Sequence, residues 1–260
     1  TPKPSSAASD VYKRQLHIYI KKFSDLINEI QIPLTVVIMG EFKAGKSTFI
    51  NTLIKEDCLK ADVTPATAVV TKLRYGECKS LVAHFRDGSK KIYPLEMLEV
   101  LSAEGNSLNE ELRAKIGYLE VIMTNPVLKE MTIVDTPGLN SDIQLHTKAT
   151  KSFIDRADCV IWLFSTGKLG SKTELAAIKE LGEILKPIGI VNRIDEIDSE
   201  EENVDEILDD IKRKFKGEVR NIIGVSALVA REAMLEGDKE KLRESRWEHC
   251  LLYTSPSPRD

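Results

Sequence analysis

Gly40-Glu41-Phe42-Lys43-Ala44-Gly45-Lys46-Ser47 decides how this chain is read. It follows Leu34–Met39, a short apolar, β-branched run of the kind that forms a strand buried on both faces, and precedes Ser47–Ile54, which reads as a helix. The pattern is G-x-x-x-x-G-K-[ST] in a strand–loop–helix setting. Glycines let backbone N–H groups close on phosphate oxygens, and the helix N-terminus adds positive potential. Lys46 is placed to reach the β- and γ-phosphates, and the Ser47 hydroxyl to ligate Mg2+. Nucleotide contacts are expected from Gly40, Glu41, Phe42, Lys43, Ala44, Gly45, Lys46, Ser47 and Thr48.

Working outward, Asp135-Thr136-Pro137-Gly138 starts at the last residue of the expected strand Met131–Asp135. A carboxylate at a strand end can hold Mg2+ through water, while the Gly138 N–H meets the γ-phosphate. Asn192-Arg193-Ile194-Asp195 ends the next expected strand but one and names the base. The Asp195 carboxylate can accept from guanine's N1–H and exocyclic amine, a donor pair that adenine lacks. Asn192 is expected to tie its loop to the P-loop, and the Arg193 stem to lie along the base, although lysine is the familiar residue there. Ser226-Ala227 suits the short loop that contacts guanine O6. Between the first two motifs, Thr64-Pro65-Ala66-Thr67 leads into a strand. A threonine on such a loop can complete the Mg2+ shell only while the γ-phosphate is present; Thr67 is the choice, with Thr71 the alternative. The motifs stand in the order of a GTPase: GTP or GDP as ligand, Mg2+ as cofactor, and Lys43, Lys46, Thr67 and Gly138 as the catalytic set.

Strands alternate with helices along the rest of the chain, predicting an α/β fold with a mostly parallel central sheet and helices on both faces. Helices are expected at Leu16–Ile30, Leu95–Leu101, Asn109–Ile116, Leu145–Arg156, Lys172–Leu185, Glu200–Phe215 and from Ala227 to Arg246. Further strands are expected at Val69–Tyr75, Ser80–Arg86, Leu119–Thr124, Cys159–Ser165, Ile188–Val191 and Ile222–Val225. The excess length between Lys46 and Asp135 holds an insert over Ser80–Ile116. Glu200–Asp210 reads as a solvated acidic helix face, Trp162 as core, and His146 as a switch residue only on a minority reading.

Composition narrows the function classes. A net charge of −4 gives no reason to invoke a polyanionic partner, so nucleic acid is not expected. No apolar run approaches the ~20 residues that span a bilayer. Four cysteines and four histidines lie scattered, which excludes a disulfide framework and a Cys/His zinc site and points to the cytoplasm. Residues 1–15 and 250–260 are rich in Ser and Pro and read as non-native or disordered tails, with the natural protein expected to continue past both.

GEFKAGKSTFINTL (Gly40–Leu53), TPATAVVTKLRYG (Thr64–Gly76), VLKEMTIVDTPGLNS (Val127–Ser141) and the stretch Val225–Asp238 together resemble the bacterial dynamin-like proteins. The resemblance implies that residues 16–249 are a dynamin-type GTPase domain, with a helical stalk starting near 238–249. It also implies a nucleotide-dependent homodimer through the GTPase face, and membrane remodelling with peripheral membrane association by the full-length protein. Eukaryotic dynamins carry Gln and Ser where this chain has Phe42 and Lys43; Phe42 can neither orient water nor bind a monovalent cation. Lys43 either curls over the phosphates as a positive charge in cis or points into solvent. Two other functions stay open: a regulatory or ribosome-assembly GTPase, and a nucleotide-dependent scaffold with little hydrolysis.

Overall fold

The computed structural model describes residues 21, 32–60, 69–102, 110–138, 148–166, 169–197 and 203–254. The chain divides into two units, Thr1–Pro33 and Leu34–Asp260. In the first, only Lys21 and residues 32–33 are described, so the helix expected over Leu16–Ile30, Lys21 apart, lies outside the described residues. So do Thr64 and Thr67, His146, and residues 198–202 at the head of the acidic run.

The second unit is built on β1 (Leu34–Gly40), whose residues point alternately to two separate apolar layers. Val36 and Ile38 enter the layer that contains Phe49 and Ile50 of α1 (Lys46–Ile54). Val37 and Met39 enter the other, with Trp162, Phe164, Ile178 and Leu208. Being apolar on both faces, β1 can sit only in the middle of a covered sheet. Its neighbours are β6 (Met131–Asp135) and β7 (Cys159–Ser165), both parallel. The sheet continues in parallel through β8 (Ile188–Asn192) to β9 (Ile222–Val225).

On the other side of β6 the direction changes. Strand β2 (Thr71–Tyr75) runs antiparallel to β6, and β5 (Ile116–Met123) runs parallel to β2. Strand β3 (Ser80–Phe85) is antiparallel to β5 and to β4 (Lys90–Tyr93). The nine strands lie in the order β4-β3-β5-β2-β6-β1-β7-β8-β9. The sheet is α/β and mostly parallel, as the alternation predicts.

Most expected elements are present, with boundaries moved by caps. The turn at Asp87-Gly88 exists, its Asp87 carboxylate accepting from Ser89 N at 2.8 Å. The strand it leads into, β4, was not expected: Lys-Lys-Ile-Tyr has little apolar alternation, because an edge strand buries little and lysines protect it from further pairing. The helical stretch after Ala227 is broken into α8 (Ala227–Glu236) and α9 (Lys239–Glu244), since Gly237 turns left-handed (φ +71°) and Asp238 caps the next helix. Helix α10 (Trp247–Thr254) follows and runs through Cys250, burying both Trp247 and Cys250 against the first layer. The remaining helices are α2 (Met97–Ser102), α3 (Glu110–Lys115), α4 (Val127–Glu130), α5 (Lys148–Ile154), α6 (Lys172–Gly182) and α7 (Val204–Lys214). Among the described residues no helix is long and apolar enough to cross a membrane.

Candidate functional site

The site gathers at the C-terminal ends of the parallel strands, where an open α/β sheet leaves its loops free to meet. Gly40 closes β1 with φ +146°, and a Cβ there would stand 2.3 Å from the Leu163 carbonyl oxygen, so the approach of β7 demands glycine. Gly45 is left-handed (φ +83°) and starts α1; a Cβ there would lie 2.4 Å from Asn192 Nδ2. These two glycines bend the chain back on itself, and the first turn of α1 carries Lys46 and Ser47. Lys46 Nζ donates to the carbonyls of Gly40 (3.1 Å) and Glu41 (2.9 Å). Burial lowers its pKa, a shift opposed by the charges of Asp135 and Glu41. Lys43, also with positive φ (66°), is exposed, its ammonium 5.6 Å from the centre of the Phe42 ring.

Asp135 is buried at the end of β6, within electrostatic reach of Lys46. Thr136 fixes the loop that follows by donating both its backbone N–H and its hydroxyl to the Ile38 carbonyl, at 3.3 and 2.9 Å. That brings Gly138 onto the P-loop: a Cβ on it would be 2.9 Å from Phe42 Cα and 3.2 Å from Lys46 Nζ. The structure therefore puts Asp135, Gly138, Phe42 and Lys46 in one place.

At the other end of the site, Asn192 joins three motifs. It is buried at the end of β8, where its Nδ2 donates to the Ala44 carbonyl at 2.9 Å and its Oδ1 accepts from Ala227 N at 3.1 Å. Ser226 caps α8, accepting from Val229 N with its hydroxyl. The Ala227 carbonyl in turn accepts from Thr52 Oγ1 of α1 at 2.9 Å. Arg193 is left-handed (φ 66°), with its Nη1 3.0 Å from Glu196 Oε1 and its Nε 3.8 Å from where a Gly45 side chain would begin. Asp195 stands exposed in the short 3-10 turn Ile194–Glu196, a carboxylate presented rather than buried. Thr67 lies outside the described residues; its alternative, Thr71, is buried in β2 opposite Asp135.

Sequence reading missed a group of polar residues behind the P-loop. The Ser171 hydroxyl donates to Glu41 Oε1 at 2.9 Å, across 130 residues of sequence. Ser171 and Glu174 form a reciprocal capping box at the start of α6. Glu174 is fully buried, and burial beside the Glu41 charge pushes its pKa up to about 7, against the backbone N–H groups of Ser171 and Gly170 that favour its ionised form. The signal was available as Ser-x-x-Glu ahead of an apolar period, but it announces a helix start and not a contact with the P-loop.

Ser47 and Asp135 offer a hydroxyl and a carboxylate, hard oxygen donors of the kind Mg2+ takes while keeping most of its water. Both sit beside Lys46, so the residues present fit the ion. Among the described residues there is no group of three or more His, Cys, Asp or Glu side chains that could hold a metal without such help.

Comparison with known proteins agrees with this geometry. The profile of the Dynamin family matches residues 36–194. Dynamin-like protein 2 of Campylobacter jejuni is 30% identical over 234 residues, covering 89% of this chain and 36% of that protein. An uncharacterised protein from the xynA 3′ region of Caldicellulosiruptor sp. is 32% identical over 222 residues, covering 81% of this chain and 53% of its own length. A solved structure described as an oligomerised bacterial dynamin pair, with a mechanism for long-range sensing and tethering of membranes, superposes with a TM-score of 0.62. It is 25% identical, over 92% of this chain and 36% of that one. The chain thus spans about half or less of the length of these relatives.

Proposed function

We propose, from the premise that the chain belongs to the dynamin family and is a dynamin-type GTPase domain, that it drives GTP hydrolysis for a longer membrane-remodelling protein. The observation that carries the reading is Asn192, whose side chain holds the P-loop at Ala44 and the base loop at Ala227 in one frame. A phosphate cradle and a guanine loop fixed to each other at a set distance measure out one guanine nucleotide.

In this reading Lys46 leaves its P-loop carbonyls for the β- and γ-phosphates, opposing the charge that builds in the transition state. The Gly138 backbone N–H, held over the P-loop, meets the γ-phosphate. Ser47 and Asp135, with Thr67 from the Thr64-Pro65-Ala66-Thr67 stretch, would hold Mg2+, whose chemistry is to neutralise phosphate charge. Asp195, open to solvent, receives the guanine donors, while Arg193 lies along the base beside Gly45. Lys43 adds positive charge at the mouth of the P-loop, its ammonium near the Phe42 ring. Nucleotide-dependent pairing of two copies through this face and membrane attachment by parts of the longer protein belong to the same reading; the similar bacterial dynamin pair is described as oligomerised and as sensing and tethering membranes.

Titration of the chain with GTP and ATP tests the reading. GTP should bind roughly 10⁴-fold better, because a site built around a donor pair rejects a base that lacks it. Asp195→Asn should shift preference towards xanthine nucleotides. Equal affinity for ATP and GTP in the wild-type chain would end it.

A further inference from the structure

Ser171 does more than cap a helix. As N-cap of α6 its hydroxyl oxygen accepts from Glu174 N at 3.1 Å, and its backbone N–H is 3.3 Å from Glu174 Oε2. Capping uses only the oxygen's lone pair. The one hydroxyl hydrogen is left over, and it is aimed at Glu41 Oε1, 2.9 Å away. Because the Glu174 N–H fixes one side of the oxygen, the hydrogen cannot swing freely, and the donation to Glu41 has a set direction.

Glu41 is the second residue of the P-loop, and its backbone carbonyl accepts from Lys46 Nζ at 2.9 Å. Its side chain and main chain therefore face two partners: a helix cap on one side and the phosphate-binding lysine on the other. The surroundings make the first partner necessary. Glu174 lies buried close enough for the two carboxylates to repel, which raises the Glu174 pKa, while the Lys46 ammonium lies within electrostatic reach of Glu41. Lys214, at the end of α7, lies against Gly170, the residue before Ser171. Without a donor from Ser171, the Glu41 carboxylate would turn towards the Lys46 ammonium and compete with phosphate for it.

We propose that Ser171 is a positioning residue for GTP hydrolysis: its hydroxyl holds the Glu41 side chain away from Lys46 and so fixes the first turn of the P-loop. The proposal rests on the assignment of this chain as a GTPase domain. It adds a part of the catalytic frame that comes from the segment after β7 and not from any nucleotide motif.

Three substitutions separate capping from positioning. Ser171→Thr keeps both lone pair and hydrogen. Ser171→Asp keeps a strong helix cap but has no hydrogen to give and places a second carboxylate against Glu41. Ser171→Ala removes both. Single-turnover GTP hydrolysis by the Ser171→Asp and Ser171→Ala chains should fall by at least about tenfold, since small misplacements of a phosphate-binding group are amplified in rate. GDP affinity should change less than about threefold, and Ser171→Thr should restore turnover. Hydrogen exchange of the backbone amides of residues 40–46 gives an answer independent of turnover: protection should drop about tenfold in Ser171→Asp and be retained in Ser171→Thr. Normal turnover and exchange in Ser171→Asp would show that the hydroxyl only caps α6 and would overturn the proposal, as would a Ser171→Thr chain as impaired as Ser171→Ala. A wild-type chain that binds no guanine nucleotide would instead sink the functional assignment, and the exchange data would still decide the role of Ser171.

Discussion

The two halves of the sheet solve the same burial problem differently. From β6 to β9 the strands are parallel, apolar on both faces and covered by helices, and every loop at their C-terminal ends enters the candidate site. From β2 to β4 the pairing is mixed, and the buried apolar residues Leu73, Leu81, Ala83, Leu119, Val121 and Met123 all lie in the first layer. The opposite face carries Lys72, Arg74, His84, Tyr118 and Glu120. Glu120 takes hydrogen bonds from Lys72 at 3.1 Å and Arg74 at 2.9 Å, and lies 3.2 Å from His84 Nε2. His84 stacks on Tyr118, which meets Phe153 of α5 edge-on. Where the parallel half uses helices to cover its second face, the outer half uses a network of charges, and at β4 it leaves Ile92 73% exposed. In the first half two apolar layers and the P-loop meet; in the second, Glu120 and its cationic partners satisfy one another, so polar side chains take the place of a second apolar layer.

Gly40→Ala would break the comparison most severely if it proved harmless. The new methyl has a backbone oxygen 2.3 Å away and a φ of +146°, so the loss should exceed about 3 kcal/mol in chemical denaturation, with nucleotide binding abolished. A stable, GTP-binding Gly40→Ala chain would mean that the parallel half is not held as tightly as its packing indicates.

Glu120→Gln probes the outer half. It should cost about 1–2 kcal/mol of stability at pH 7, because the charge shared by Lys72 and Arg74 is lost, while GTP turnover stays unchanged. Desolvation alone would raise the Glu120 pKa, but its cationic and imidazole partners outweigh that and hold it down at about 2, against an ordinary 4.5. A depressed carboxylate contributes its full stability above 4.5 and loses it as the pH falls towards 2. The gap between wild type and variant should therefore close over that window in acid denaturation; a gap that stays constant from pH 7 to 3 would remove the network from the argument.

The smallest effect is expected where α1 leaves the site. Lys55 caps α1 in the left-handed region (φ 56°, ψ 31°), its N–H donating to the carbonyls of Asn51 and Thr52. Lys55→Gly should raise stability by about 0.5–1 kcal/mol in the same denaturation experiment, since glycine adopts that conformation without a Cβ penalty. A decrease would mean that the lysine stem packs in a way its exposure does not suggest.

Residue chemistry and spacing determined a good deal by themselves. The buried β1 run, the P-loop, Asp135-Thr136-Pro137-Gly138 and Asn192-Arg193-Ile194-Asp195 are contiguous stretches, and each carries its own strand end, turn and reactive groups. Local periodicity was enough to place them in a mostly parallel α/β sheet. Other features depended on which distant segments meet. The antiparallel seam between β2 and β6, the edge strand β4 and the polar face around Glu120 follow from pairing, which no window of a few residues encodes. Asn192 reaches Ala44 across 148 residues, and Ser171 reaches Glu41 across 130. A side-chain hydrogen bond of that separation exists only once the sheet has brought two loops to the same end, so the amino acids name the groups while the fold decides which of them touch.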